Sequence, residues 1–434
     1  MSDPDDRASG SIHRGGTLLA LVAWGVLIAV AWFWGSRLNA TLEPPMLVNA
    51  PPLTGSFHAE LQFWFALPLL AAVIGVSWLP RLAEELAWRR LLLISVLLSA
   101  LWLLALASSV GPSLVARPLG NPLDTFADLH QVGSVSGFLA SFVERIVGFT
   151  SHTRSHPPGM LMLFWAMKQV GMGGTGWAAA LEITGGALAP PAIMLALREV
   201  SDERTARAAF PFLILTPTAI WMSTTADALF AGVAAWAVAC IVLATGSRGR
   251  RSLWLALAGG TLFAWALFLS YGLVLVGLIP FGVAVTRRRW QPLLVAAVPL
   301  ALITLAFAAA GFWWLDGLQA TREQYLLGVS RYRPGSYFLL ADLAALAVCL
   351  GPATAVGLAR LRGRGPWLLV GGALAGVAIA DVSGMSKGEV ERIWLPFAVW
   401  LLVACAPLGR SSRLRAWLAA QGGFALMIQL VVRN

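Results

Sequence analysis

Apolar runs of about 20 residues, the length a membrane-crossing helix needs, recur from Leu18 to the C-terminus with only short polar breaks between them. Lipid must therefore be the solvent for most of the chain. A hydrophobic share of 58% against a charged share of 12%, with mean hydropathy +0.75, agrees with that and lies far from soluble-domain values. The expected fold is an all-α polytopic membrane protein, one domain over 1–434, with about 13 transmembrane helices and interfacial helices in a large external loop. The expected spans are roughly 18–37, 61–79, 91–111, 176–197, 206–221, 226–245, 253–269, 271–285, 291–312, 337–358, 367–381, 394–408 and 416–432.

The formal charge of +10 is no argument for nucleic acid, because the basic residues do not gather on one solvated face. They sit in short clusters between apolar runs: Arg7/Arg14, Arg81/Arg89/Arg90, Arg198/Arg204/Arg207, Arg248/Arg250/Arg251, Arg287/Arg288/Arg289, Arg360/Arg362/Arg364 and Arg410/Arg413/Arg415. These seven places hold 20 of the 31 Lys and Arg, as cytoplasmic turns should. The alternation works on one condition. The run GMLMLFWAMKQVG (159–171) is too short to cross comfortably and must dip in without passing through, or every later cluster would face outward.

With that condition the chain is a multi-pass plasma-membrane protein with a cytoplasmic tail at 1–17, a retained first helix rather than a cleaved signal, and an external region at 111–175. Further external loops are expected at 38–60, 313–336 and 382–393. Within the large region, Val135, Phe138, Leu139, Phe142, Val143, Ile146 and Val147 share a helical face, opposite Ser134, Ser141, Glu144 and Arg145, which predicts an interfacial amphipathic helix. The three cysteines, Cys240, Cys349 and Cys405, each lie within apolar sequence without CxxC spacing, so neither zinc nor a disulfide framework is indicated.

The chemistry-bearing residues concentrate in the external region. In NPLDTFADLHQV, Asp124 and Asp128 stand four apart and share a face if helical. Downstream, His152, Arg154 and His156 precede Pro157-Pro158-Gly159, a pair of prolines that opens a short helix at the lipid boundary. Asp227, at the outer end of a span, must pair or face a polar cavity, and Glu182 raises the same question. The external cations Arg145, Arg154, Arg322, Arg331, Arg333, Lys387 and Arg392 are candidates for a phosphate, whose oxygens match the arginine fork. Arg392 beside Trp394 equally suits a topology anchor, and Tyr325, Tyr332, Tyr337, Trp313 and Trp314 form either a sugar-facing platform or an interface belt.

This arrangement resembles the GT-C superfamily of membrane glycosyltransferases, as in the protein O-mannosyltransferases and the aminoarabinose transferases of lipid A. The resemblance rests on the external Asp, the His-Pro-Pro motif opening a short helix, the segments LREVSDERTAR and LTPTAIWMSTTADALFAG, and GEVERIWLPF, which is similar to a motif of actinobacterial polyprenol-phosphate-sugar-dependent members. It covers roughly residues 120–400. It implies a transferase that moves a sugar, such as mannose or another hexose or pentose, from a polyprenyl-phosphate donor to a lipid, glycan or protein acceptor at the outer membrane face. Asp124 or Asp128 would be the general base, with Glu43 as rival because the family's acid normally follows the first membrane helix. His152, Arg154, His156, Asp227, Arg331, Arg333, Lys387, Glu391 and Arg392 would bind substrate. No cofactor is implied, a divalent metal at the two histidines being the less favoured reading. A transporter or lipid flippase, or a non-catalytic scaffold, are the alternatives; the first predicts broken helices meeting at the bilayer midplane.

Overall fold

The computed structural model describes residues 4–433, with side chains described for 15–432, so Arg7 and Arg14 lie outside the described side chains. Three long helices come first: α1 (Pro4–Thr41), α2 (Ala66–Glu85) and α3 (Trp88–Ala107). A region of short helices follows, with α4 (Val135–Ser141), α5 (Ser151–Arg154) and α6 (Gly159–Gln169). The bundle resumes with α7 (Thr175–Ala187), α8 (Ala189–Val200), α9 (Glu203–Ile214), α10 (Ala219–Met222), α11 (Ala226–Gly246), α12 (Gly249–Leu269), α13 (Leu278–Arg287) and α14 (Gln291–Ala309). The last third holds α15 (Trp314–Leu327), α16 (Gly335–Leu350), α17 (Pro352–Arg360), α18 (Arg364–Val382), α19 (Val390–Ile393), α20 (Leu395–Leu401), α21 (Ala406–Gly409) and α22 (Leu414–Val431). Two two-residue strands, Ser56–Phe57 and Val432–Arg433, pair antiparallel and tie the loop after α1 to the end of α22.

The sequence of α11 is apolar on every side, and 83% of its apolar window is buried, so it forms the axis of the bundle. It is packed by α7, α8, α12, α13 and α20. By contrast α1, equally apolar, buries only 6% of its window and lies against α16 and α17 with the rest of its surface toward lipid. Lipid tails are as apolar as leucine, so close backbone approach rather than hydrophobic burial joins such helices. Gly232 of α11 supplies it: a side chain there would run into the backbone carbonyl of Gly185 on α7.

The two ends of the bundle differ chemically. Arg207 donates to the carbonyls of Ala83 and Leu86 at 2.8 and 2.9 Å, Arg287 pairs with Glu199 at 3.0 Å and Arg289 donates to the Ser247 carbonyl at 2.8 Å. Arg360 bonds Thr17, Gly365 touches the Val200 backbone and Gly409 touches that of Ala208. The turns that carry the basic clusters thus meet at one end. Gly159, opening α6, packs on the Phe268 carbonyl, and Phe268 closes α12 at the opposite end. At about 1.5 Å per residue, the 11 residues of α6 reach about 16 Å, short of a crossing.

Nine described helices are long and apolar enough to cross a membrane, or ten if one bent pair counts as a single span, against about thirteen expected. The difference lies in four expected spans. The segment 206–221 is interrupted between α9 and α10, 271–285 begins as a 3₁₀ turn before α13, and 394–408 is split between α20 and α21. The fourth, 337–358, bends by 97° between α16 and α17 at Gly351, whose φ of +75° favours glycine. The backbone groups freed by that bend are not left bare: Gln421 of α22 donates to the Leu350 carbonyl at 2.5 Å and accepts from the Ala353 N–H at 3.0 Å.

Two local expectations are corrected. The amphipathic helix foreseen over 135–147 stops at Ser141, because Phe142 stacks on Phe149 at 5.1 Å and edges onto Phe312 at 5.5 Å, drawing the chain round and leaving Val147 exposed. The segment 313–336, expected as a loop, is mostly the helix α15. Replacing Gly232 by leucine is expected to force α7 from α11 and lower the detergent-solubilised melting midpoint by several degrees. Gly423→Leu, with nothing within 4 Å of the added carbon, should leave it nearly unchanged.

Candidate functional site

Away from the basic turns, four pieces of chain converge. Asp124 caps a 3₁₀ helix over Thr125–Gln131, its Oδ1 accepting from the Phe126 N–H at 2.8 Å. The His152 N–H donates to the Leu123 carbonyl at 3.2 Å, which brings α5 alongside and sets His152 Nδ1 3.2 Å from Asp124 Oδ2. From α19, Arg392 reaches across: Nη1 stands 3.4 Å from His152 Nε2, Nε lies 3.3 Å from Asp227 Oδ2 at the start of α11, and Nη2 lies 2.9 Å from Glu389. A guanidinium only donates, so His152 Nε2 is the acceptor and its Nδ1–H points at Asp124. The result is a continuous polar chain, Asp227–Arg392–His152–Asp124. Burial by itself lowers the Arg392 pKa, and Asp227 and Glu389 more than offset it, so the net shift is upward.

Asp124 and Asp128 do not share a face. A 3₁₀ helix turns in three residues, so positions four apart diverge by about a third of a turn. Asp128 is buried and both its oxygens are engaged, one by the Thr150 N–H at 2.8 Å and one by Gln131 at 2.8 Å, which in turn accepts from Arg145 at 2.9 Å. Its geometry holds together the loop that carries α5. Glu43 is exposed in the segment after α1.

His156 lies beside the same chain, its ring 5.4 Å from Phe230 and its Nδ1 buried without a hydrogen-bond partner. Burial pushes its pKa down to about 4, with Asp227 opposing. Glu182 of α7 is 1% exposed, has its Oε2 unpartnered, and lies within electrostatic reach of Asp124, Asp227 and Arg392. Arg154 meets Ser151 at 3.3 Å, and its carbonyl accepts from Thr321 on α15 at 2.9 Å.

The other expected residues gather in a second group. Arg333 donates to the carbonyls of Met46 at 3.0 Å and Lys387 at 2.5 Å. Lys387 Nζ reaches the Ser330 carbonyl at 3.3 Å, and its N–H donates to Tyr325 Oη at 2.9 Å. Arg331 is exposed with its guanidinium over Tyr332 at 4.7 Å. Glu391 faces away from Arg392, buried and accepting from Thr54 N–H and Oγ1 at 3.2 and 2.9 Å; burial raises its pKa and the Thr54 bonds oppose that. The aromatic side chains of the segment do not form one platform, since Trp314 packs on Tyr271 and Tyr337 donates to the Ala31 carbonyl. Among the described residues no three His, Cys, Asp or Glu side chains are arranged to hold a metal ion.

In the sequence Glu389 passes unmarked, and Glu182 is marked only as an acid that must pair or face a polar cavity. Glu389 could have been found from its i, i+3 spacing to Arg392 in GEVER. Glu182 was visible as a charge inside an apolar run but gave no sign of its neighbours.

No family model and no curated protein matches the chain. Among solved structures it is similar to ArnT from Cupriavidus metallidurans bound to undecaprenyl phosphate, at 17% identity and TM-score 0.42, covering 70% of this chain and 60% of that one. The apo state of that ArnT gives 16% identity, TM-score 0.41 and coverage of 65% and 56%. The Archaeoglobus fulgidus oligosaccharyltransferase in complex with Zn and sulfate gives 16%, 0.42, and 78% of this chain against 51% of that one. The chain thus spans about half to three fifths of the length of these proteins.

Asp128→Ala should strand the Thr150 N–H and Gln131 and cost about 1–3 kcal/mol of stability, read as a lowered melting midpoint. His156 titrates lower folded than unfolded, so the unfolded chain binds the extra proton between pH 6.5 and about 4. Stability should therefore fall as pH drops through that window, and His156→Phe should flatten this part of a melting-midpoint curve.

Proposed function

We propose that the chain is a membrane glycosyltransferase that moves a sugar from a polyprenyl-phosphate donor to a lipid, glycan or protein acceptor at the external face of the plasma membrane. The observation that carries this reading is the polar chain Asp227–Arg392–His152–Asp124, drawn from four segments at the end of the bundle opposite the arginine-rich turns. With those turns cytoplasmic, the site opens outward at the lipid boundary, where the tail of a polyprenyl carrier stays in the bilayer while its headgroup reaches polar side chains.

In this reaction the acceptor hydroxyl oxygen attacks the anomeric carbon from the side opposite the phosphate. The new C–O bond forms as the bond from that carbon to the phosphate oxygen breaks, the electron pair leaving on polyprenyl phosphate and the configuration inverting. The hydroxyl proton goes to Asp124 Oδ2, which has a lone pair beyond the one facing His152. His152, fixed in one tautomer by Arg392, orients that carboxylate. Arg392 already faces three partners, so the departing phosphate falls to Lys387, whose ammonium has one backbone partner, and to the exposed Arg331 beside it. Arg333, spent on two carbonyls, fixes the segment that carries Lys387.

A transporter would place its polar side chains near the bilayer midplane. Here Asp124, His152, Asp227, Glu389 and Arg392 gather at helix ends and loops instead. Asp124→Asn is expected to lower transfer of labelled sugar from polyprenyl phosphate by about 10²–10⁴-fold in membranes, with protein abundance unchanged. Undiminished transfer by that variant would remove Asp124 from the base role.

A further inference from the structure

Between Asp227 and Asp316 the sequence holds no acidic residue, and all six basic residues of that stretch fall in two turns. Arg248, Arg250 and Arg251 lie where α12 begins, and Arg287, Arg288 and Arg289 lie between α13 and α14. The turns are bonded to their surroundings and to each other. Arg289 donates to the Ser247 carbonyl at 2.8 Å, while Arg287 donates to Thr245 Oγ1 at 3.0 Å and pairs with Glu199 at 3.0 Å. Those two arginines are consumed in building the frame. The guanidinium groups of Arg248, Arg250, Arg251 and Arg288 belong to exposed residues and have no partner among the described residues.

The acids of the adjoining turn are already engaged: Glu199 by Arg287, Glu203 by Arg198 and Arg207 at 3.1 and 2.8 Å, and Asp202 by the Thr205 N–H at 2.7 Å. Arg288 holds φ of +52° at the end of α13, a position that glycine fills without strain, so its side chain is carried there at a conformational cost. Trp254, one turn past Arg250, and Trp290, two residues past Arg288, are both exposed. Exposed indoles at a helix end sit at headgroup level, which sets the four guanidinium groups at the depth of lipid phosphates.

A sidedness signal needs only that basic residues lie in a turn, as Arg81, Arg89 and Arg90 do beside Glu84 and Glu85. Four unanswered like charges on two turns locked together repel one another, and an anion seated among them relieves that repulsion. Phosphate oxygens match the arginine fork, and the phosphate present at this depth is the headgroup of an acidic phospholipid. We propose that the turns 247–251 and 286–290 together bind the phosphate of an anionic phospholipid in the leaflet at this end of the bundle. The site lies at the opposite end from Asp124 and Arg392 and stands independently of the transferase reading. A headgroup held by both turns ties α12 to α13 and α14, so its binding stabilises the folded bundle.

The test compares two variants that remove equal charge: Arg250→Gln with Arg288→Gln in the proposed site, and Arg413→Gln with Arg415→Gln in another exposed turn at the same end. Full-length protein is reconstituted in nanodiscs of equal parts phosphatidylcholine and phosphatidylglycerol, and native mass spectrometry reads the lipid that stays bound. Wild type should retain phosphatidylglycerol over phosphatidylcholine. The first variant should lose about tenfold of that preference, and the second should keep it. Phosphatidylglycerol should also raise the melting midpoint of wild type above its value in phosphatidylcholine alone, a measurement that needs no variant. Equal loss in both variants, or wild type that retains the two lipids alike and melts alike in them, overturns the site. Displacement of phosphatidylglycerol by added inorganic pyrophosphate would assign the arginines to a soluble anion and overturn the lipid.

Discussion

A guanidinium at the edge of a bilayer is tolerable only if its charge is answered, and Arg392 is answered by Asp227, Glu389 and His152 together. The partners come from α11, from the turn before α19 and from α5, so this one cation fastens the axial helix to two short segments outside the long helices. The orientation of His152, and through it of Asp124, follows from that fastening. Placing a carboxylate beside lipid is costly by itself; placing it at the end of a relay that terminates in a second carboxylate holds it in one geometry.

A second lattice of bonds supports the first. Glu391, the neighbour of Arg392, turns the other way to hold Thr54, while Asp342 of α16 accepts from the Gly388 N–H at 3.0 Å and Arg333 spans Met46 and Lys387. The segment from Gly384 to Arg392 is thereby stitched to α16 and to the loop after α1. Its left-handed residues, Gly384, Gly388 and Glu389, allow the sharp path this stitching demands. The alternation of Glu389, Glu391 and Arg392 in a four-residue stretch thus serves two opposite faces.

Much of this was legible in the chain. The apolar runs gave the helices, the arginine clusters gave turns that do meet at one end, and the His-Pro-Pro motif gave a short helix starting at Gly159. Asp124, His152, His156, Asp227 and Arg392 were singled out and lie together. What periodicity could not convey was tertiary. The 3₁₀ geometry that sends Asp128 to Thr150 instead of to the cluster depends on where α5 docks, and the end of α4 at Ser141 depends on aromatic rings far along the chain. Glu182 and Glu389 acquire meaning only from neighbours that lie outside their own segments.

The elbow between α16 and α17 carries a wider implication. Interrupted membrane helices are commonly places where a protein moves, because loose backbone groups can exchange partners. Here one amide side chain, Gln421, closes both sides of the gap, so the corner behaves as a welded joint and not as a hinge. Since α16 also bears Asp342, the weld transmits rigidity to the segment that presents Arg392. Variation in such a molecule would fall on its surface turns, the frame beneath them being locked by the fully buried amide of Gln421.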